Sequence, residues 1–351
     1  MPTVSLSDPI RPPSSAVLAT ARAHLAALAK PLGALGELEE LAAWVSSCQG
    51  VCPARPLDRV RAVVLAGDHG VTHYGVSAYP REVTPAMVRA FVAGNAGVSV
   101  LARQHGVSLQ VYDLAVDDEL AGVPAAVTAY KVRRSSEPIQ LRDALSADEV
   151  HRALRAGERI ANDQISAGAD LLIMGDMGIG NTTPAAALIA ASFGCRAAEI
   201  TGRGTGVDDA ALQHKITLID TALARVGGRA NDPLERLAGL GSADLAAGVG
   251  FLVTAARSGV PVLLDGVVSV AEAVVAEDLA PGTIGWCAAG HRSTEPAQQL
   301  ALDKLGLRPV LDLGLRLGEG SGAVAAVPLL RSAVLLMREM ALLADLAAPG
   351  A

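Results

Sequence analysis

Short apolar runs alternate with longer amphipathic segments along most of this chain of 351 residues. From residue 61 onward the runs lack polar alternation and end near glycine or aspartate, and segments with helical spacing of apolar positions lie between them. Such runs are typical of strands covered on both faces, as in a parallel sheet. The predicted strands are Ala62–Ala66, Leu109–Tyr112, Leu171–Met174, Val262–Leu264, Thr283–Cys287 and Val310–Leu313.

Helical segments lie before and between these runs, and a long apolar helix is expected at the C-terminal end. This alternation predicts an α/β fold with a doubly wound, mostly parallel sheet of Rossmann-like type. Residues 1–13 are predicted to be irregular. The predicted helices include Ser15–Leu28, Leu35–Ser46, Pro85–His105, Asp148–Ser166, Asp208–Val226 and Ala271–Glu277.

Composition narrows the classes of function. The chain is 51% hydrophobic but only 3% aromatic and carries a net charge of −7. Nucleic-acid partners favour a basic face and stacking aromatic rings, so we expect no nucleic-acid partner. The longest charge-free stretch, Met177–Cys195, contains Asn181, Thr182 and Thr183 and is a poor membrane span. Sparse cysteines and an N-terminus without signal-peptide features predict a cytoplasmic protein with no membrane partner.

Polar and glycine-rich clusters follow most of the predicted strands. In doubly wound folds, ligands bind outside the carboxyl ends of the strands. The convergence of these clusters at one edge of the sheet therefore predicts a binding site for small molecules. The clusters are Gly67–Gly70, Gly175–Thr183, Asp265–Gly266, Gly290–Glu295 and Gly318–Gly322.

Two glycine loops allow a ligand to approach the backbone closely, and the first of them is a candidate for phosphate binding. In Gly178–Thr183, glycines allow close approach, and the amides that begin the next helix favour an anion; Thr182 or Thr183 is predicted to cap that helix. A capped turn without a ligand is the alternative. The spacing is neither that of a Walker loop nor that of the three-glycine dinucleotide motif, which disfavours an ATPase or a dehydrogenase. The second loop, Thr201–Asp209, precedes a helix that Asp208 is predicted to cap.

Several ionisable residues permit two interpretations. Lys215 lies beside the apolar stripe of its helix and either serves the site or meets a carboxylate. Glu319, between two glycines before the last helix, is either a general base or a carboxylate stabilised by the helix dipole. Asp68, His69 and His73 suggest a metal site, although glycines surround them and their spacing matches no familiar zinc signature. We interpret His291 as structural.

Taken together, seven motifs resemble the nicotinate-nucleotide:dimethylbenzimidazole phosphoribosyltransferases, enzymes of cobalamin lower-ligand assembly. The match extends over nearly the whole chain from about residue 15. The motifs are AGDHGV (Ala66–Val71), GVSAYPREVT (Gly75–Thr84), GDMGIGNTT (Gly175–Thr183), GRGTGVDD (Gly202–Asp209), LLDG (Leu263–Gly266), GHRSTE (Gly290–Glu295) and LGLRLGEGSGA (Leu313–Ala323).

The resemblance implies a large α/β domain over residues 58–315 and a small helical domain built from residues 14–50 and 316–351. It also implies a homodimer that needs neither a cofactor nor a metal. The implied reaction converts nicotinate mononucleotide and dimethylbenzimidazole into α-ribazole 5'-phosphate and nicotinate. One carboxylate base and correct positioning suffice for it, because the pyridinium leaves as a neutral ring.

The resemblance also implies roles for individual residues. Glu319 would be the base that takes the proton of the benzimidazole, and Asp176 and Lys215 would form a charged pair near the ribose. The ribose and phosphate would be held by Asp176, Gly178, Asn181, Thr182, Gly204, Lys215, Asp265, Gly266 and Ser293. The base would be held by Ser77, Tyr79, Met87 and Leu317.

The chain departs from the family pattern at two places: Asp176 stands where glutamate is more usual, and Pro85-Ala86 stands where glutamine often precedes the methionine. Other benzimidazoles, purines or phenolics therefore remain alternative acceptors. Two other functions also stay open at this point. One is a metal-dependent hydrolase or phosphatase that uses Asp68, His69 and His73, and the other is a non-catalytic nucleotide-binding homologue.

Overall fold

The computed structural model describes residues 6–346 and contains one six-stranded parallel sheet. The strand order is β2-β1-β3-β4-β5-β6. Strand β2 lies on one side of β1 and strands β3 to β6 follow on the other side, so the strand order reverses between β1 and β3. This confirms the predicted doubly wound α/β fold. The strands are β1 (Val60–Gly67), β2 (Ser108–Ala115), β3 (Leu171–Met177), β4 (Val262–Leu264), β5 (Cys287–His291) and β6 (Pro309–Leu311).

Helices cover both faces of the sheet, and short 3₁₀ turns lie at Gly70–Tyr74, Gly227–Asn231 and Ile284–Trp286. The helices are α1 (Ser15–Ala27), α2 (Glu37–Gln49), α3 (Val83–Ala93), α4 (Gly97–His105), α5 (Ala125–Thr128), α6 (Ala147–Ser166), α7 (Thr182–Phe193), α8 (Ala197–Ile200), α9 (Asp209–Val226), α10 (Pro233–Leu240), α11 (Ala243–Arg257), α12 (Val267–Leu279), α13 (Pro296–Leu305), α14 (Ser321–Glu339) and α15 (Leu343–Leu346).

Side chains of β1 show why the strands lack polar alternation. Val63 and Leu65 belong to the core beneath α6, α7, α11 and α12, whereas Ala62, Val64 and Ala66 belong to the core beneath α1, α2, α4 and α14. Successive side chains of a strand point to opposite faces, so a strand covered on both faces must be apolar throughout. The sheet is therefore the middle layer of three.

Local capping explains several helix starts. Asp208 accepts a hydrogen bond from the amide of Ala211 at 2.8 Å, which confirms that it caps α9. The prediction of a threonine cap on α7 is wrong. Asn181 is the N-cap residue and makes no capping bond with its side chain, and Thr182 is the first residue of the helix.

Two predicted elements differ from the structure. The helix expected over Pro85–His105 is two helices, because Gly94 ends α3 in the left-handed conformation (φ 76°) and α4 begins at Gly97. The strand expected at Thr283–Cys287 begins only at Cys287, after a 3₁₀ turn, and runs to His291. The break at Gly94 gives α4 an N-terminus of its own, beside the predicted binding site.

The two ends of the described chain meet. Helix α2 packs against both α1 and α14. Leu28 and Leu342 form an isolated antiparallel bridge, and the His24 ring Nε2 lies 2.9 Å from the carbonyl oxygen of Met337. Residues 6–13 form no helix or strand. Residues 1–5 and 347–351 lie outside the described part of the chain.

Two apolar segments among the described residues are long enough to cross a membrane, judged by length and composition: Val83–His105 and Ser321–Glu339. The first is the pair α3 and α4, which is interrupted at Gly94. More than half of the most apolar stretch of the second is buried inside the fold, as in a core helix. Helix α14 packs against α2, α4 and β5.

Candidate active site

A cavity of about 600 Å³ lies at the carboxyl ends of β3, β4 and β5, on the edge of the sheet where the sequence predicts ligand binding. Its size suits a nucleotide-sized ligand. It is lined by thirteen of the fourteen predicted site residues; Lys215 lies just behind the wall. The thirteen are Ser77, Tyr79, Met87, Asp176, Gly178, Asn181, Thr182, Gly204, Asp265, Gly266, Ser293, Leu317 and Glu319.

Glu319 lies at the centre of this edge of the sheet. Its φ is 66°, between Gly318 at 77° and Gly320 at 89°, so three successive residues adopt left-handed φ values. This turn crosses directly over β3: a Cβ added to Gly175 would lie 2.4 Å from the carbonyl oxygen of Glu319. Glycine at 175 is therefore required for the turn to lie so close.

The environment of Glu319 suits a general base. The side chain is 4% exposed, and its Oε2 accepts a hydrogen bond of 3.4 Å from the amide of Val98 in the first turn of α4. Burial raises the pKa of Glu319 to about 7; the bond from Val98 lowers it and the nearby charge of Asp265 raises it. A carboxyl with this pKa takes up and releases protons near neutral pH.

Asp265 holds the turn that carries Glu319. Its two carboxylate oxygens accept hydrogen bonds from the amides of Gly320 at 3.1 Å and Ala323 at 3.0 Å. The His291 ring Nε2 lies 3.3 Å from the same carboxylate, and His291 is 1% exposed. This placement is consistent with the structural interpretation of His291.

The opposite side of the cavity is formed by the glycine loop before α9. The ammonium of Lys215 donates to Thr182 Oγ1 at 2.7 Å and to the carbonyl of Gly202 at 3.1 Å. Glu295 accepts from the amide of Gly204 at 2.8 Å. Burial lowers the pKa of Lys215 to about 8, and Glu295 opposes that shift. A buried cation and a helix N-terminus thus meet at this end.

The predicted charged pair of Asp176 and Lys215 is wrong for this structure. Within residues 6–346, no carboxylate oxygen lies within 4.0 Å of the Lys215 ammonium. Asp176 Oδ1 instead accepts a hydrogen bond of 2.7 Å from the side-chain amide Nδ2 of Asn181. Its other oxygen faces the protein interior, where it has no hydrogen-bond donor.

A buried acidic cluster lies beneath Asp176, and sequence reasoning did not find it. Asp244 and Glu272 are fully buried and Asp176 is 6% exposed, and all three have oxygen atoms without a donor. Desolvation, strengthened by the neighbouring carboxyls, raises the pKa values of Asp176 and Glu272 well above their usual range. Burial therefore favours the protonated, neutral form of these two carboxyls.

The structure separates the residues of the hydrolase alternative. His73 is exposed and lies 3.3 Å from Arg81, whereas Asp68 is buried and accepts from the amide of Asp117 at 2.8 Å. His69 turns inward, 3.4 Å from Asp244. Among the described residues, the group whose donor types and spacing suit a cation is His69, Asp176 and Asp244, with donor atoms within 4.8 Å of one another.

The other end of the cavity is apolar and open. Tyr79 is 57% exposed and Leu317 55% exposed, and Met87 also lines this end. Ser77 Oγ lies 3.0 Å from Thr205 Oγ1, which ties this segment to the glycine loop. Exposed rings and thioethers that face a cavity are suited to contact a flat aromatic ligand.

Several lining residues were not predicted as site residues, some of them inside the recognised motifs and some outside any motif. For Gly97 the available signal is Gly94-Asn95, a common helix end that interrupts an otherwise helical pattern. Arg316 was passed over within the Glu319 motif. The additional lining residues include Asn95, Gly97, His291, Glu295 and Arg316.

Comparison with known proteins agrees with this geometry. Residues 10–347 match the family model DBI_PRT, described as phosphoribosyltransferase. The chain belongs to this family. A protein of Mycobacterium marinum named nicotinate-nucleotide--dimethylbenzimidazole phosphoribosyltransferase is 51% identical over 96% of this chain and 94% of its own length. A protein of the same name from Mycobacterium tuberculosis is 50% identical over 95% of this chain and 92% of its own.

Solved structures of the family share the fold. The crystal structure of CobT from Thermus thermophilus matches with a TM-score of 0.91 and 42% identity, over 95% of this chain and all of that one. A structure titled as the nicotinate-nucleotide-dimethylbenzimidazole enzyme of the same organism matches with a TM-score of 0.90 and 40% identity, over 96% of this chain and all of the other. Family and fold therefore extend over essentially the whole chain.

Proposed function

We propose that this protein transfers the phosphoribosyl group of nicotinate mononucleotide to dimethylbenzimidazole, giving α-ribazole 5'-phosphate and nicotinate for the nucleotide loop of cobalamin. The observation that carries the proposal is Glu319: a buried carboxyl with a pKa of about 7, held at a nucleotide-sized cavity. The names of the relatives at about 50% identity support the same reaction.

Glu319 acts on the acceptor base. Its carboxylate takes the N–H proton of dimethylbenzimidazole, and the freed electron pair of that ring forms the new bond to the anomeric carbon. The bond from that carbon to the pyridinium nitrogen breaks on the opposite face, and its electrons neutralise the leaving nicotinate ring. A single displacement of this kind inverts the β-nucleotide into an α-riboside, and the proton stays on Glu319 until solvent removes it.

The remaining residues position the two substrates. Tyr79, Met87 and Leu317, with Ser77, hold the acceptor at the open apolar end. Asp176 and Asn181 contact the ribose, and Asp265 fixes the turn of Glu319 as well as facing the sugar. The phosphate is held at the opposite end by Gly178, Thr182, Gly204, Lys215, Gly266 and Ser293.

The domain organisation, the location, the oligomeric state and the absent partners also belong to the proposal. The helices of the two chain ends, residues 14–50 and 316–351, form a small helical domain beside the α/β domain at 58–315. The protein is a cytoplasmic homodimer without a nucleic-acid or membrane partner. The packing of α2 on both α1 and α14 supports the helical domain. Light scattering of the purified chain tests the homodimer.

The reaction itself is tested by incubating the purified protein with nicotinate mononucleotide, dimethylbenzimidazole and EDTA. We expect equal amounts of α-ribazole 5'-phosphate and nicotinate by mass-resolved chromatography, because neither the base nor the leaving group needs a Lewis acid. The metal content of the same sample is measured in parallel. Activity that disappears with EDTA and returns with one metal would contradict this, and would assign a catalytic ion to the group of His69, Asp176 and Asp244.

A further inference from the structure

The side chains that line the cavity are mainly acidic, so binding of the anionic donor nucleotide requires a further cation. The acidic and basic side chains of the lining are four carboxyls, one histidine and one arginine, Arg316. A 5'-phosphate carries close to two negative charges at neutral pH. Such a group is repelled by the ionised carboxyls unless cations face it, and Lys215 alone is a buried, hydrogen-bonded cation with a lowered pKa of about 8.

Arg316 is the available cation. Within residues 6–346, no carboxylate lies within 4.0 Å of its guanidinium, whereas two neighbouring arginines are engaged: Arg292 pairs with Asp312, and Arg203 with Asp209. The hydrogen-bond partner of Arg316 is a backbone carbonyl, that of Gly204, at 3.5 Å. Most of its five donors thus remain free for a ligand.

The direction of the Arg316 side chain decides which part of the substrate it faces. Leu317 points the other way, toward the acceptor end, with its Cδ2 2.6 Å from the position of a Cβ on Gly97. Arg316 points to the loop of Gly204, and a Cβ on Gly204 would lie 3.5 Å from the ammonium of Lys215 and 2.8 Å from Thr182 Oγ1. Arg316 and Lys215 therefore flank the same loop.

We propose that Arg316 binds the 5'-phosphate of the donor nucleotide from the cavity side of the Gly202–Gly206 loop, opposite Lys215. Guanidinium groups bind phosphate oxygens with two parallel hydrogen bonds, which fixes orientation as well as adding affinity. The anionic end of the nucleotide is then held between two cations, and its anomeric carbon is directed toward Glu319. This role rests on the proposed function.

The test compares Arg316→Ala and Arg316→Lys with a matched control, Arg308→Ala, which removes an exposed arginine that pairs with Glu37 outside the cavity. Each is assayed with nicotinate mononucleotide and with nicotinate riboside, which lacks the phosphate. We expect Arg316→Ala to raise the KM for the nucleotide on the order of 10- to 100-fold, as for a lost hydrogen bond to a charged group. The lysine variant should lose less, and the control should match the wild type.

With the riboside, Arg316→Ala should perform like the wild type. An equal loss with nucleotide and riboside would overturn the assignment to phosphate. A loss with nicotinate mononucleotide but none with nicotinamide mononucleotide would also overturn it, because the contact would then be to the ring carboxylate.

Calorimetric binding of nicotinate mononucleotide to the same four proteins separates this inference from the proposed reaction. If the wild type makes no product yet binds the nucleotide, weaker binding by Arg316→Ala still supports the phosphate contact, while unchanged binding overturns it. If the wild type binds no nucleotide, both proposals fail.

Discussion

Glu319 combines two features that ordinary structural residues avoid. Its backbone has a left-handed φ of 66°, and its carboxyl is almost fully buried. Each costs free energy, and the surrounding contacts must compensate: Asp265 fixes the turn and the amide of Val98 meets the carboxylate. Strain and burial at one residue that faces a cavity are typical of a functional site.

The substitution Glu319→Gln tests whether this residue is the general base. We expect transfer to fall on the order of 10²- to 10⁴-fold, because glutamine cannot accept the proton, while binding of nicotinate mononucleotide stays nearly intact. In the wild type, kcat/KM should rise with pH up to about 7, where the carboxyl of the free enzyme becomes ionised. Near-normal turnover by the variant, or a flat profile from pH 5 to 8, would exclude Glu319 as the base.

At the scale of elements, the site depends on where strands and helices end, and the sequence predicts these ends unevenly. The parallel sheet and the Asp208 cap were predictable because an apolar run or one side chain determines each of them locally. The break between α3 and α4 was missed because the apolar spacing continues across Gly94. The Asp176–Lys215 pair was wrong and the cluster of Asp176, Asp244 and Glu272 was missed, because both depend on distances between segments far apart in the chain.

Gly175 is where β3 and the turn before α14 approach most closely, so Gly175→Ala tests this arrangement. The new methyl would lie within 2.4 Å of the backbone at Glu319 and Gly320, and overpacking of this kind costs about 1–3 kcal/mol of stability. The turn should move and carry Glu319 with it. We expect a loss of kcat of roughly 100-fold in protein that still folds.

The control for this variant is Gly228→Ala, at an exposed position where an added Cβ has no neighbour within 4 Å. It should leave kcat unchanged. Kinetics and denaturant unfolding are measured on both variants. If Gly175→Ala retained full kcat, the close contact between strand and turn would not be what positions the base.

At the scale of the whole molecule, a core that is largely aliphatic contains the carboxyls of Asp176, Asp244 and Glu272, and within residues 6–346 no lysine or arginine forms an ion pair with any of them. Desolvation raises the pKa values of Asp176 and Glu272 well above their usual range and so favours the protonated form of each. The stability of the fold is thereby linked to pH.

The numbers of protons bound by the folded and the unfolded protein determine whether stability rises or falls with pH. Above the ordinary pKa of a glutamate carboxyl, the unfolded chain releases the proton of Glu272 while the folded protein holds it more tightly, so the free energy of unfolding falls as pH rises, by up to about 1.4 kcal/mol per pH unit for each such group. Glu272→Gln removes one of these groups. Its stability, measured by urea unfolding, should therefore decline less over this range than that of the wild type or of Glu82→Gln, an exposed control. An unchanged decline would mean that Glu272 is ionised in the folded protein, and a cation held among these carboxyls would then have to supply the missing charge.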